Sequence, residues 1–408
     1  MKLNITLTSS MFDHQIEHQQ SDEPDRLCPR DRVTYWDIAG FVISIASHIV
    51  DVGLDCNLAV RYYLSDQKAY FFTTVAFILI PALINTAFSI RMYMLDETQE
   101  LNKSRTLTQR CTSRGLLFLL VLLFQLAPVL RYFDALRYAR KSKKAERMKD
   151  YENQRKYYEL MVKEDSDVAL LRVLECFLEA APQQILQITI IFVTKGQDFG
   201  TDTFTYFHQL LSIGSSFVSM AWSMASYHRL LRVSQKTKNN ISWIGTFVQF
   251  MWHFMVTVSR ILCISVIASM YLEATILAIS FHWFVMMIWL LYMDQENNFC
   301  SDNQCCSVMF YSTFSAVYVF TFVTLNEGPT AKKYFFFYSL LFAENTVANF
   351  LWYFNATQEI EKLMYYKPIF FLNIFPYVAG LVFMILYYKC FHPSTGYTSR
   401  HLVTRLGT

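Results

Sequence analysis

The sequence predicts an all-α protein that crosses a membrane several times. Hydrophobic residues fill 53% of its 408 positions and charged residues only 17%, a balance typical of polytopic membrane proteins and not of soluble enzymes. The apolar residues form ten runs, most of them close to the about 20 residues of helix that cross a hydrocarbon core. Two sets of five runs, each with one half-helix as its third member, leave eight spanning helices. The runs cover about residues 36–60, 70–95, 115–130, 167–193, 204–231, 241–271, 272–293, 305–325, 334–354 and 369–390.

This count divides the chain into four segments, with two membrane repeats between two tails. An even number of spans returns the chain to the side on which it started, so both termini are expected in the cytosol. No apolar h-region opens the chain, and we expect the first spanning helix to direct insertion. The segments are a disordered N-terminal tail (1–33), an N-terminal repeat (34–235) that includes a basic cytosolic segment (137–165), a C-terminal repeat (236–391) and a short cytosolic tail (392–408).

The N-terminal tail contains an acidic tetrapeptide, Asp22-Glu23-Pro24-Asp25. An extended DxxD sequence in an unfolded segment is the kind of site that caspases cut after the last Asp. A solvated acidic patch is the alternative interpretation of the same four residues.

The first spanning helix carries one acidic face along its whole length. Asp37, Asp51 and Asp55 are separated by 14 and 4 residues, which places them within about 40° on a helical wheel. Helix capping explains an Asp at the start of a helix and a salt bridge explains one further on, but neither explains all three. Arg91, near the end of the second run, is the predicted counter-charge for this face.

Basic loops indicate that the third run enters the membrane and returns on the same side. Lysine and arginine are concentrated both before residue 115 and after residue 136, and the positive-inside rule places both loops in the cytosol. The run therefore reads as a re-entrant half-helix with Pro128 near its turn and Arg131 and Asp134 at its exit. An ordinary span that violates the charge rule is the alternative. The basic residues that follow, interleaved with acidic ones, predict a cytosolic helix that is either solvated or held against anionic lipid.

The fourth run, DVALLRVLECFLEAAPQQILQITIIFV (167–193), carries a second stripe of polar residues within an apolar helix. Arg172, Glu175 and Glu179 fall on one stripe of this helix, with Gln183 close to it. Each charge at mid-membrane costs about 2.5 to 3.5 kcal/mol on translocon scales, so the stripe must face protein, water or headgroups. A simple Arg/Glu pair that fastens a helix bundle is the alternative. Pro182 removes a backbone donor at the same depth and predicts a bend.

The second repeat is poorer in charge, and we assign the polar function mostly to the first. The chain lacks Walker, GxSxG and HExxH motifs and paired Cys/His ligands, which argues against ATP-driven pumping, hydrolysis and metal or cofactor chemistry. No feature predicts nucleic-acid binding. Three of the nine cysteines crowd one loop, where a disulfide or a zinc site is weakly indicated.

Two of these stretches resemble the XK-related (Xkr) family. The run LLRVLECFLEAAPQQILQ (170–187) is similar to the family signature, and HIVDVGLDCNLAVRYYL (48–64) is similar to its first-helix acidic motif. The resemblance implies eight spans and two half-helices in two pseudo-symmetric units. Several members are phospholipid scramblases that expose phosphatidylserine after a caspase removes an inhibitory terminus. The residues that carry over are Asp37, Asp51 and Asp55 in the first helix and Arg172, Glu175 and Glu179 in the signature helix.

The function expected from the residues and the resemblance together is a caspase-activated scramblase of the plasma membrane, a lipid transporter without an energy source and not an enzyme. The tail after residue 391 is short and lacks DxxD, so Asp22 and Asp25 are the candidate cleavage residues. A non-transporting scaffold is the alternative, since some relatives act with a single-span accessory glycoprotein or dock lipid-transfer proteins. A small-molecule transporter is the third possibility. The predicted lipid path comprises Asp37, Asp51, Asp55, Arg91, Arg131, Asp134, Arg172, Glu175, Glu179 and Gln183.

Overall fold

The computed structural model is all-helical over the residues that it describes, which confirms the predicted fold class. No strand occurs within them. The described residues are 32–98, 126–193, 203–234, 240–293, 299–300, 304–324, 331–356, 358–361 and 366–393. The predicted caspase site, the basic loop before residue 115 and most of the third apolar run lie outside these ranges.

The helices follow the order of the apolar runs, with two π-helical turns among them. The first repeat contains α1 (Tyr35–Leu64), α2 (Lys68–Thr98), α3 (Ala127–Arg147), α4 (Tyr151–Glu175), a π turn (Cys176–Ala180), α5 (Ala181–Val193) and α6 (Thr203–Val233). The second contains α7 (Trp243–Ala268), α8 (Leu272–Met293), α9 (Gln304–Tyr318), α10 (Ala331–Phe354), α11 (Gln358–Glu361), α12 (Tyr366–Leu386) and a π turn (Tyr387–Phe391).

Six helical segments within the described ranges are long and apolar enough to cross a membrane. They are α1, α2, the continuous α4–α5 unit, α7, α8, and α12 with its π turn. Two further core helices, α6 and α10, have 31 and 24 residues and so exceed the length that a span requires. The protein is therefore a multi-pass membrane protein with six candidate spans among the described residues, and the number of eight spans stays a prediction.

Helix α9 is the third helix of the predicted C-terminal repeat, where a half-helix is expected. Helix α9 has 15 residues, about 22 Å at 1.5 Å per residue, which is shorter than the hydrocarbon core. Its last residue is followed by a non-helical segment in which Thr321 and Val323 are buried. Irregular backbone at membrane depth is tolerated where protein encloses it.

The basic segment is not one helix, and that prediction was wrong. Helix α3 ends at Arg147 and α4 begins at Tyr151, so the charged stretch folds into a helical hairpin. The turn contains Lys149 with a positive φ of 58° and Asp150, whose side chain accepts a hydrogen bond from the Asn153 backbone N–H. Asp150 thus caps the N-terminus of α4, which runs from the predicted cytosolic segment directly into the membrane.

The perturbation predicted at Pro182 takes the form of a π turn. Pro182 has no N–H, and the preceding turn widens so that the Ala181 N–H bonds to the carbonyl oxygen of Cys176, five residues back. Pro128 lies in the first turn of α3, where a missing N–H costs nothing.

Helix α7 lies at the centre of the fold and packs against α5, α6, α10 and α12. The contact with α12 is close at Gly380, where an added Cβ would lie 2.7 Å from Val256 Cγ2 and 3.1 Å from the Trp252 carbonyl oxygen. In contrast, α1 lies at the edge of the molecule, packs along α2 and α3, and exposes most of its apolar residues.

Candidate functional site

Seven polar side chains converge between α1 and the α4–α5 unit, and we call them the α1/α4 cluster. This arrangement brings together the two polar stripes that the helical periodicity predicts, apart from Asp37. The members are His48, Asp51 and Asp55 on α1, Arg172 and Glu175 on α4, Glu179 in the π turn and Gln183 on α5.

Glu175 lies at the centre of the cluster. Its Oε1 atom is 3.1 Å from His48 Nδ1 and accepts a hydrogen bond from Arg172 Nη1 at 3.3 Å. Arg172 also donates through Nη2 to Asp51 Oδ2 at 3.3 Å. Both terminal nitrogens of the guanidinium are therefore held by carboxylates of the protein itself. Glu175 Oε2 is buried and has no hydrogen-bond partner within the described residues.

The remaining acidic residues extend the cluster along α1 and the π turn. Asp55 lies within electrostatic range of Asp51 and beside the side chains of Glu179 and Gln183. The cluster thus contains four carboxyl groups, and Arg172 contacts two of them, those of Asp51 and Glu175.

The cluster is exposed at Asp51. The Asp51 side chain is 49% exposed, whereas the side chains of Arg172 and Glu175 are 17% and 11% exposed. Since α1 is the edge helix, Asp51 leads from the membrane-facing surface to the buried members of the cluster.

Arg131 and Asp134 belong to a separate, closed group that we call the Arg131 cluster. Arg131 is fully buried and donates through Nη1 to Glu164 at 3.0 Å and to Asp167 at 2.8 Å. Its Nε and Nη2 donate to the hydroxyl and the carbonyl oxygen of Ser89. Tyr93 packs its ring on the guanidinium at 3.9 Å and donates its hydroxyl to Asp134 at 3.2 Å. This cluster joins α2, α3 and α4.

Two more residues of the predicted lipid path lie elsewhere. Asp37 forms a capping box with Thr34, whose backbone N–H donates to Asp37 Oδ2 at 2.7 Å, and it is exposed at the start of α1. Arg91 donates through Nε to the carbonyl oxygen of Phe299 at 2.8 Å, which links α2 to the segment that precedes α9.

A third group, the Arg260 cluster, holds the end of the half-helix in the second repeat. Arg260 donates through Nε to the Val319 carbonyl oxygen at 2.9 Å, through Nη1 to Asn345 Oδ1 at 2.8 Å and through Nη2 to Glu344 Oε2 at 2.6 Å. His282 lies between Glu344 Oε1, 2.7 Å from Nδ1, and the Tyr318 carbonyl oxygen, 3.1 Å from Nε2.

The Arg260 cluster provides donors for carbonyls that a helix leaves unpaired at its C-terminus, and its positive charge complements the helix dipole. The sequence predicts Arg260, His282 and Glu344 as buried polar groups, but it does not predict that they are in contact. Their partners come from four helices, α7 to α10, and no local pattern encodes such a contact.

The crowded cysteine loop contains a disulfide between Cys300 and Cys306. Of the two weakly indicated roles, the disulfide is therefore the one present. Among the described residues, no group of three or more His, Cys, Asp or Glu side chains is arranged to hold a metal ion.

Comparison with known proteins agrees with this architecture. The family model of the XK-related protein matches residues 39–393. The chain is 26% identical to cell death abnormality protein 8 of Caenorhabditis elegans over 374 residues, which cover 89% of this chain and 80% of that protein. It is also 26% identical to the protein of the same name from Caenorhabditis briggsae over 381 residues, 89% of this chain and 79% of that protein. The family match spans nearly all of the described membrane region, and the chain belongs to the XK-related family.

Proposed function

We propose that this protein is a phospholipid scramblase of the plasma membrane that exposes phosphatidylserine during apoptosis and needs no energy source. The observation that carries the proposal is the α1/α4 cluster, which gathers four carboxyl groups, one guanidinium and one imidazole and is exposed at the Asp51 side chain. The names of the relatives associate those proteins with cell death, which supports an apoptotic role for this chain.

The proposed mechanism lowers the cost of moving a headgroup through hydrocarbon. A phospholipid that crosses unaided exposes its charges to an apolar medium, which is costly unless polar partners replace water. Asp51 offers the first such partner at the edge of α1, and Asp55, Glu175, Glu179 and Gln183 continue the polar surface into the protein. The acyl chains remain in lipid, and the process equalises the two leaflets without ATP.

Activation by a caspase is the second part of the proposal. Cleavage after Asp25 would leave only nine residues before α1, which begins at Tyr35. The N-terminal tail is thus attached to the helix that carries Asp51 and Asp55. A tail that favours a closed state by a few kcal/mol would keep the open state rare until it is removed.

A cellular experiment tests this activation. Cells expressing the wild type, Asp25→Ala or Asp13→Ala are driven into apoptosis and stained for outer-leaflet phosphatidylserine. Wild type and Asp13→Ala, the matched control in the same tail, should expose the lipid, and Asp25→Ala should not. Equal exposure in all three would remove Asp25 from the mechanism.

Transport itself is tested with the full-length protein in liposomes that contain a fluorescent phospholipid. Dithionite bleaches only the outer leaflet, so loss of nearly all fluorescence indicates scrambling and loss of about half indicates none. The assay is run before and after caspase treatment. Asp51→Ala and Glu179→Ala should slow the bleaching of the inner leaflet, provided that folding and reconstitution are unchanged.

A scaffold without transport is the second candidate, and the Arg131 and Arg260 clusters favour it. In both, a buried arginine bonds to side chains of neighbouring helices and so stabilises their packing. A scaffold would leave half of the fluorescence in the dithionite assay under both conditions. Its partner would then be sought among single-span glycoproteins and lipid-transfer proteins.

A further inference from the structure

We propose that the acidic N-terminal tail docks on a basic face of helix α3 and holds α1 against that helix until the tail is cut. The occupant of the face is residues 1–25 of this chain. The contact itself does not depend on transport, whereas its effect on activity rests on the proposed function.

Five cations of α3 form the docking face. At about 100° per residue, residues 137, 140, 143, 144 and 147 fall within an arc of about 120° on the helical wheel. They extend over about 15 Å of the helix axis at 1.5 Å per residue. Three of the side chains are exposed and two are half-buried. The members are Arg137, Arg140, Lys143, Lys144 and Arg147, and we call them the α3 basic face.

The positive charge of this face is largely unbalanced. Glu146 lies 2.9 Å from Lys143 and 4.0 Å from Arg32, and within the described residues no carboxylate forms an ion pair with the other four members. Residues 137–156 contain nine lysines and arginines and three acidic residues, a net charge of +6. Like charges one turn apart on a helix destabilise it, so an acidic ligand would stabilise the face.

The start of α1 is bound directly to the α3 basic face. Lys143 Nζ donates to the carbonyl oxygen of Val33 at 2.9 Å, and Arg147 Nη2 donates to the Tyr35 hydroxyl at 3.0 Å. Lys143 Nζ also lies 5.1 Å from the centroid of the Tyr35 ring. Val33 is buried in this contact region. The tail therefore joins α1 beside the face that we propose it occupies.

The tail has the complementary charge, and the predicted caspase site divides it at a change of sign. Residues 1–25 contain five acidic residues and one lysine, a net charge of −4. Residues 26–32 contain three arginines and one aspartate, a net charge of +2. Seven residues span at most about 25 Å, so the acidic part can reach every member of the face. Cleavage after Asp25 would release the acidic part and leave a basic remnant on α1.

The orientation of the helical hairpin favours a peptide over a lipid surface as the ligand. The continuous α4–α5 unit has 43 residues, about 65 Å, and the hydrocarbon core is about 30 Å thick. Its apolar run begins at residue 167, so residues 151–166 extend the unit by about 24 Å beyond that run. Helix α3 packs along α4. A flat anionic membrane would touch one end of the α3 basic face, whereas an extended tail can follow its length.

Docking of the tail would keep α1 in its packed position. Helix α1 packs against α3, where the ring centroids of Phe41 and Tyr132 are 6.4 Å apart. The same helix carries Asp51 and Asp55 of the α1/α4 cluster. An acidic tail on the α3 basic face adds attraction between α1 and α3, and the basic remnant left by cleavage has the same sign of charge as the face. Cleavage therefore replaces attraction by repulsion at the start of α1.

Carbodiimide cross-linking of the full-length, uncut protein tests the contact, because this reagent joins carboxylates to lysine amines that touch them. The protein is held in nanodiscs of phosphatidylcholine, which has no net charge, and linked peptides are identified by mass spectrometry. We expect links from the acidic residues of 1–25 to Lys143 and Lys144. An increase in salt from about 0.1 M to about 1 M shortens the screening length from about 10 Å to about 3 Å and should reduce these links at least about fivefold.

Two double variants separate this face from general effects of charge. Arg140→Glu with Lys144→Glu reverses two exposed members of the face and should reduce the links from the tail to Lys143 at least about tenfold. It should also raise phospholipid transport before caspase treatment to about the rate of the cut wild type. Arg155→Glu with Lys156→Glu is the matched control, because it changes the net charge equally on exposed positions of α4. The control should retain wild-type links and a low rate before cleavage.

The outcomes distinguish this inference from the function on which its effect rests. If the wild type scrambles lipid after cleavage but gives no link between the tail and α3, docking is wrong and scrambling stands. If the links form but no lipid crosses before or after cleavage, docking is supported and the proposed function is wrong. Absence of tail links, combined with protection of Lys144 from amine labelling only when phosphatidylserine is present, would assign the face to anionic lipid and overturn the proposal. The wild-type links are decisive alone, so a variant that does not fold does not protect it.

Discussion

Replacement of Arg260 by Met should release the end of half-helix α9. Met has a similar length and no charge, so the substitution removes three hydrogen bonds and leaves acceptors on Val319, Asn345 and Glu344 without this donor. Each buried group left unpaired costs about 1 to 3 kcal/mol, and loss of one partner of a buried ion pair costs about 3 to 5 kcal/mol. His282 still contacts Glu344, so we take about 3 to 4 kcal/mol as the local effect.

A thiol one helical turn away from Arg260 reports this opening directly. Cys263 is buried, and its Sγ lies 3.4 Å from the carbonyl oxygen of Asn345. At 1.4 kcal/mol for each factor of ten, a local loss of 3 to 4 kcal/mol should raise the alkylation rate of Cys263 by about 100- to 1000-fold. Cys176 is also buried, near the α1/α4 cluster, and serves as the internal control.

The measurement is maleimide labelling over time, followed by mass spectrometry of the two cysteine peptides. Arg155→Met is the matched variant, because Arg155 forms an exposed pair with Glu159, and such a pair contributes at most about 1 kcal/mol. Equal labelling of Cys263 in Arg260→Met and Arg155→Met would refute the capping role. A parallel rise at Cys176 would indicate global unfolding and would also contradict it.

Three further predictions concern stability and are checked by thermal unfolding in detergent. Arg131→Met should destabilise the protein by about 3 to 5 kcal/mol, because it leaves buried carboxylates without their cation, and an unchanged melting temperature would contradict the closed cluster. Gly380→Ala should cost about 1 to 3 kcal/mol by overpacking, and Val256→Ala in the same chain should restore part of the loss; additive losses would contradict the close contact. Hydrogen bonds from Asn153 lower the pKa of Asp150 below its usual 3.8, so its stabilising effect is present above that value and is lost as the pH falls through the lowered one. The melting difference between wild type and Asp150→Ala should therefore shrink in strong acid, and a difference that is independent of pH would argue against the cap.

Helical periodicity was sufficient to predict most of the α1/α4 cluster. Asp51 and Asp55 on one helix and Arg172 and Glu175 on another each fall on a single face, and such faces inside a membrane must meet polar partners. Asp37 lies at the same angle on the helical wheel as Asp51 and Asp55, but it is in the first turn of α1, far along the helix axis from both. Thr34 three residues earlier is a capping signal that the sequence contains, and it explains this residue locally.

Contacts between segments that are far apart in the chain could not be predicted from the sequence. Arg131 was placed at the exit of a re-entrant run, yet its partners Glu164 and Asp167 are more than 30 residues away, and only tertiary packing shows that it is enclosed. The break at Met148–Asp150 was missed for a local reason. Lys149 adopts a positive φ that Gly or Asn usually occupies. Because neither residue type stands at this position, the sequence did not indicate a turn here.

Helix α1 lies at the edge of the fold, so its tilt and depth in the membrane depend on the thickness of the bilayer as well as on contacts with the protein. This helix has 30 residues, about 45 Å, and only 11% of its apolar stretch is buried, so lipid surrounds most of it. A helix longer than the hydrocarbon thickness tilts to reduce the mismatch, and endoplasmic reticulum and plasma membranes differ by several Å. Tilt of α1 would shift Asp51 and Asp55 along Arg172, so sterol content and acyl length become variables that tune the alignment of these groups.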